Sequence, residues 1–228
     1  KSSAASDVYK RQTIYIGEDE LIVGERGPRP KAVSTFPELT CHSVEDLHVL
    51  NTRELQRYTI SQEDIDTYER EVIPYWKGRT QRERIFNHVP KEWKEAYEVG
   101  MFTEFMEQRA PGHTSLDGKV YQHGMLDLKE RIAHELKNLD FMNDPEELTA
   151  MSISCDAAII FAERHAELAE KMAGQETDPK RKEELKKIAE ICRWVPAHAP
   201  RTYWEAIQMY WFVHLGTITE LNLSLIHI

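Results

Sequence analysis

Apolar residues recur every three or four positions through the second half of the chain. Met125, Leu128, Ile132, Leu136 and Leu139 fall on one side of a helix. Leu148, Met151, Cys155, Ala158, Ala162, His165, Ala169 and Met172 form a longer seam. Asp144-Pro145-Glu146-Glu147 opens it, with proline at the first helical position and acidic residues in the first turn. Asp178-Pro179 opens the next helix, with Leu185, Ile188 and Cys192 inward. Thr202 and Glu205 make a capping box before TYWEAIQMYWFVHLG (residues 202–216). That helix is apolar nearly all round, which predicts burial within something larger.

The first half is punctuated more heavily. Residues 13–23 alternate apolar and polar positions around Gly17-Glu18-Asp19, which predicts a short hairpin. Residues 24–37 carry three prolines and two glycines and read as a loop. Ser43 with Asp46, and Ser61 with Asp64, read as helix N-caps with aspartate in place of the usual Glu or Gln. The second of these helices runs to about Trp76, with Pro74 as a kink. Residues 91–100 and 102–108 read as short helices, and residues 115–124 as a turn or small hairpin around Asp117-Gly118. The fold class expected is mainly α.

Composition narrows the function classes. Lys and Arg number 29 against 39 Asp and Glu, and an acidic surface argues against a nucleic-acid partner. No run is apolar enough to span a membrane, and no signal peptide is read at the start. Cys41, Cys155 and Cys192 are far apart and form no Cys-x-x-Cys, which supports neither a disulfide framework nor a zinc site. The expected compartment is a reducing cytoplasm.

The two ends read as having a different origin. DVYKRQ (residues 7–12) can be spelled GATGTGTATAAGAGACAG. The reverse complement of that DNA, CTGTCTCTTATACACATC, translates as LSLIHI, which is residues 223–228. Opposite strands of one oligonucleotide thus encode both peptides, as when sequencing adapter is read as gene. Residues 1–12 and 223–228 are therefore set aside, and residues 13–222 are expected to be part of a longer natural chain.

Most candidate chemistry has a structural explanation. His165 and His214 lie on apolar faces and read as satisfied core histidines; His123 and His134 read as surface. His113, His123 and His134 contain no His-x-x-x-His pair, so no metal site is expected. Cys155 and Cys192 lie on core faces. Cys41 and His42 are neighbours that seldom aim at one target. Residues 180–187 read as a solvated helix face, and Trp204, Tyr210, Trp211 and Phe212 as core. His113 differs. It follows Pro111-Gly112, which breaks any helix, and Phe105 lies eight residues earlier. From spacing alone a pocket wall and an ordinary loop are both open.

FTEFMEQRAPGHT (102–114), CDAAIIFAERHAELAEKMA (155–173), ETDPKRKEELKKIAEIC (176–192), VPAHAPRTYWEAIQMYWFVHLG (195–216) and ITELN (218–222) occur in order, with DELIVGERG (19–27) near the start. Together they resemble the glycyl radical enzymes related to pyruvate formate-lyase. EQRAPGHT points within that family to the branch that dehydrates trans-4-hydroxy-L-proline. The resemblance implies the N-terminal part of an α/β barrel around a closed active site. It implies a radical stored on a glycine, installed by a radical S-adenosylmethionine activating enzyme, and passed to a cysteine thiyl. It also implies a small-molecule substrate, a homodimer, no bound cofactor, and substrate contacts from Phe105 and His113. The family's Gly-Cys-Val-Glu and Arg-Val-x-Gly-Tyr motifs are absent from these 228 residues, so this piece is expected to hold no catalytic residue and to be inert alone. Other expectations are a different glycyl radical branch (a diol or glycerol dehydratase, a C–X lyase or a formate acetyltransferase) or a non-enzymatic helical scaffold.

Overall fold

The computed structural model describes residues 13–25, 27, 29–32, 35, 37, 40–55, 57–101, 116–139 and 145–220. The chain divides into two compact units, one of Pro30–Gln108 and one of Lys1–Arg29 with Arg109–Ile228. Among the described residues there is no strand.

Capping shapes the unit of Pro30–Gln108. Helix α1 is Val44–Thr52. Ser43 Oγ accepts from the Asp46 amide at 3.1 Å, and the Asp46 carboxylate accepts from the Ser43 amide at 2.9 Å. Ser61 and Asp64 repeat the device at α2, Gln62–Thr67. Aspartate therefore closes the box as glutamate would. A π-helical turn, Tyr68–Val72, joins α2 to α3, Ile73–Trp76. Pro74 has no amide to give to the carbonyl four residues back, and the widened turn just before it takes up that misfit. Leu47, Ile65 and Tyr68 form a small core against Val44, Ile60, Val72 and Ile73.

Helix α4, Gln81–His88, has almost no apolar periodicity, yet its start is written in Thr80-Gln-Arg-Glu83. Thr80 Oγ1 accepts from the Glu83 amide at 3.1 Å. The Glu83 carboxylate accepts from the Gly78 amide at 3.0 Å and the Thr80 hydroxyl at 2.8 Å. Those bonds, Gly78's first, hold the Glu83 carboxyl below the usual range. Helix α5 is Lys91–Glu98. It ends where expected, on Gly100 with φ +74°, whose amide reaches Tyr97 O at 3.0 Å.

The other unit is built on three helices. Helix α6 is Met125–Lys137, α7 is Pro145–Gln175 and α8 is Pro179–Trp194; α7 packs along both of the others. Ala157, Phe161, Ala162, Ala166, Ala169 and Ala173 bury one side of α7, and these small residues let Leu185, Ile188, Ala189 and Cys192 of α8 approach closely. Two seam positions are corrected. Met151 is 51% exposed and Leu139 42% exposed. α8 is about half as long as α7 and folds back on its C-terminal part, so it cannot cover Met151. Residues 117–121 form a 3-10 turn rather than a hairpin, with Val120 buried. Helix α9, Tyr203–Glu220, packs on that turn, on α7 and on α8.

The expected hairpin of residues 13–23 is also corrected. The turn is present, with Glu20 N donating to Gly17 O at 3.3 Å, but the two arms do not pair. Ile16 and Val23 bury instead in the cluster of α7, α8 and α9. Helix side chains take the place of a neighbouring strand. Arg181 donates to Gly17 O at 2.8 Å and Glu20 O at 3.0 Å. Trp204 Nε1 donates to Leu21 O at 2.9 Å, and Trp211 Nε1 to Gly24 O at 2.8 Å. The Gln208 amide donates to Val23 O and accepts from Val23 N, both at 2.8 Å. These bonds satisfy backbone groups that burial would otherwise strand. Gly24 fits because it lacks a side chain: φ is +118°, and a Cβ would lie 2.9 Å from Leu215 Cδ1.

Candidate functional site

Phe105 and His113, the two pocket residues read from the sequence, fall in 102–115, outside the described residues, as does the expected helix of residues 102–108. Just beyond them the backbone turns sharply. Leu116 and Asp117 take left-handed conformations, φ +72° and +49°, and lead into the 3-10 turn. Leu116 packs beside Val120 in a cluster with Met125, Ile132, Cys155, Ile191, Val195, Met209 and Val213. The first amides of α6 then dock on the loop after α8: Met125 N donates to Pro196 O at 2.8 Å and Leu126 N to Ala197 O at 3.1 Å. A Cβ on Gly124 would stand 2.2 Å from Ala197 O, so only glycine permits this approach.

That loop, in VPAHAPR, is held by its own side chains. The Trp194 ring stacks on His198 at 4.3 Å and carries the Arg201 guanidinium 3.9 Å from its centre. Trp194 Nε1 donates to Ala199 O at 2.8 Å. Glu205, 1% exposed, accepts from the Arg201 guanidinium at 2.7 Å and the Arg201 amide at 2.6 Å. Burial raises the Glu205 carboxyl, the Arg201 bonds outweigh it, and the net position is below the ordinary range. The Glu205 amide also donates to Thr202 Oγ1 at 3.2 Å, one half of the expected capping box.

The remaining candidates settle into structural places. His165 Nδ1 lies 2.8 Å from Phe161 O, and the ring packs against Phe161 and Phe212. Burial pulls its pKa down to about 4. The Cys192 thiol is pushed up to about 12 by burial, and Cys155 is raised by burial and by Asp156. Both stay protonated near neutrality, which fits packing and not nucleophilic attack. Cys41 Sγ faces Pro37 O at 3.9 Å, while the His42 amide donates to Tyr68 Oη at 3.3 Å. His134 is exposed and His123 half-buried. Among the described residues no three His, Cys, Asp or Glu side chains converge on a metal-sized site, and no helix is long and apolar enough to cross a membrane. Residue 181 corrects the solvated face expected over 180–187: Arg181 is 9% exposed and ties down the strap of residues 17–24. Besides Glu184 on its own helix, its partners in the strap lie more than 160 positions away, so spacing along α8 gives no sign of them.

The model of a family described as pyruvate formate lyase-like matches residues 1–228. Trans-4-hydroxy-L-proline dehydratase of Clostridioides difficile is 50% identical over 220 residues, covering 94% of this chain and 28% of that protein. A solved structure of hydroxyproline dehydratase from the same organism, with trans-4-hydroxy-L-proline bound, superposes with a TM-score of 0.84 at 48% identity, over 96% of this chain and 28% of that one. A glycyl radical enzyme from Archaeoglobus fulgidus superposes with a TM-score of 0.78 at 30% identity, over 97% and 30%. The chain thus spans little more than a quarter of the length of the relatives it matches. Ordered motifs, helical fold and family match agree, and the chain belongs to the pyruvate formate lyase-like family of glycyl radical enzymes.

Proposed function

We propose that the complete protein is a glycyl radical dehydratase that removes water from trans-4-hydroxy-L-proline, and that this chain is its N-terminal part. The observation that carries the reading is 50% identity along 94% of the chain to a dehydratase of that compound, against 30% to the Archaeoglobus enzyme. EQRAPGHT at residues 107–114 supports the same branch.

On this reading a thiyl radical takes hydrogen from the carbon next to the ring nitrogen. The neighbouring hydroxyl then leaves as water with a proton from a donor, the cysteine thiol returns its hydrogen atom to the remaining product radical and is again a thiyl, and the ring nitrogen releases a proton, leaving a pyrroline carboxylate. The departing oxygen needs a proton donor, and the radical needs a closed, dry cavity. Phe105 contributes to the pocket wall; His113 contacts the substrate or joins its polar network. The thiyl cysteine and the radical glycine belong to the rest of the protein, since Cys155 and Cys192 are core residues here and none of the three cysteines has the Gly-Cys-x-Glu context. This chain alone is therefore inactive. The complete enzyme is a cytoplasmic homodimer whose radical is installed by a radical S-adenosylmethionine activating enzyme. Residues 1–12 and 223–228 are adapter translation, which resequencing the locus checks.

The test is anaerobic expression of the whole gene with such an activase, followed by turnover assays on trans-4-hydroxy-L-proline, glycerol and 1,2-propanediol. Turnover of a diol without turnover of hydroxyproline would move the protein to another branch. His113→Ala should lower kcat by about 10²-fold or more, with the glycyl radical signal in electron paramagnetic resonance unchanged. Near-wild-type turnover by that variant removes His113 from the pocket.

A further inference from the structure

Leu116 stands in a backbone conformation that its own side chain disfavours. Its φ is +72° and its ψ −10°, and Asp117 follows with φ +49°. The left-handed region is open to glycine and tolerable for Asn and Asp, but a leucine there is strained. Among the described residues three non-glycines take a positive φ, and two of the three are this pair. Gly118, next in the chain, would accept such a φ freely and does not take one. The strain is thus carried by residues with side chains, beside one that has none.

The leucine side chain gives the reason. Leu116 packs on the cluster that holds Val120, Met125, Met209 and Val213. Its carbonyl accepts from Lys119 N at 3.0 Å, which closes the 3-10 turn, and Val120 in that turn is 1% exposed. The turn packs on α9, and Gly124 behind it lies against Ala197. The chain is therefore fixed at both ends of residues 116–124. His113 is three positions before Leu116. Three trans peptide units span at most about 11 Å, so a fixed Leu116 bounds where that imidazole can stand. Backbone strain enforced by the surrounding fold collects at functional sites, where it holds geometry.

We propose that Leu116 is a positioning residue for His113: its packed side chain holds the left-handed turn from which the chain runs to that imidazole. The inference rests on the pocket role of His113 and extends it to a residue that does not touch substrate.

The test is a double-mutant cycle in the complete, activated enzyme, with kcat/KM divided by the glycyl radical content from electron paramagnetic resonance. It is run on whichever compound the wild type turns over, so a change of branch leaves it decidable. Leu116→Asn accepts the left-handed backbone but cannot fill the apolar seat. It should lower the normalised kcat/KM about tenfold or more. Leu116→Met keeps an apolar anchor and should stay within about twofold of wild type. The second position is His113→Gln or His113→Asn, whichever keeps more turnover. In that background Leu116→Asn should add less than about twofold, because a residue acting through His113 has nothing left to position. A Leu116→Asn variant with lower Tm but wild-type normalised kcat/KM means packing alone, and losses that multiply in the double variant mean two independent effects; either overturns the proposal. Should Leu116→Asn fail to fold or to take up the radical, Leu116→Ala is read against the same limits. Wild-type turnover by both His113 variants removes the pocket reading itself, and the proposal with it; that result shows in the single variants, before the cycle is closed.

Discussion

A histidine held neutral in a core makes stability depend on acidity. His165 ionises near pH 4 in the folded chain, because burial disfavours its charged form. In the unfolded chain its ordinary value is about 6.5. Between those values the unfolded state binds more protons, so stability rises with pH and is lost as pH falls from about 6.5 towards 4. The expected slope is about 1.4 kcal/mol per pH unit for this group. Burial lowers His214 as well, and its contribution has the same sign. Urea unfolding at several pH values checks this: His165→Gln, which does not ionise, should flatten the dependence, and a slope unchanged by the substitution would assign it to other groups. The core position of His165 was legible in the helical spacing of the seam. Its bond to Phe161 O follows from the same spacing, four residues apart on one helix.

Among the elements, local signals and distant ones fared differently. Capping at Ser43, Ser61 and Asp178 is a matter of three residues, and the spacing alone places it. Thr80 and Glu83 carry the same motif, and that motif, not apolar periodicity, marks α4. The strap of residues 17–24 is the opposite case. Its alternation is real, but the groups that satisfy its backbone come from α8 and α9, 161–187 positions away. Alternation cannot tell a partner strand from a wall of donating side chains. Gln208 is the clearest test, since it is fully buried and makes both bonds to Val23. Gln208→Leu leaves a buried amide and carbonyl unpaired and should cost about 2–4 kcal/mol. Hydrogen exchange should show it as faster loss of protection at Val23, with α7 unaffected. Protection retained at Val23 would mean the strap is held by packing.

For the whole molecule, the exposed apolar residues matter most. Leu55 is 81% exposed, Met101 77%, Val99 75% and Tyr203 82%. A chain covering 28% of its relatives is expected to leave surface that the remainder would cover. Residues 13–222 expressed alone should therefore bind an apolar dye or self-associate, as followed by fluorescence and sedimentation. A dye-free monomer with one sharp unfolding transition would favour the self-contained scaffold that the sequence also allowed. The membership of the family was legible from five ordered phrases, while the placement of Phe105 and His113 lies in residues outside those described.

By itself the sequence marked where the described helices other than α4 begin, which faces of α7 and α8 are apolar, and to which family the chain belongs. Those properties are set by neighbours within a few residues, or by phrases long enough to be specific. Only the tertiary structure decided that residues 13–23 form a strap rather than a hairpin, that Arg181 is buried, that Met151 is not, and that Gly124 must be a glycine. Each depends on which distant atoms arrive: a guanidinium at Gly17 O, a short helix that ends before Met151, a carbonyl 2.2 Å from a missing Cβ. Helical periodicity fixes which side of an element is apolar; only packing fixes what, along its length, comes to meet that side.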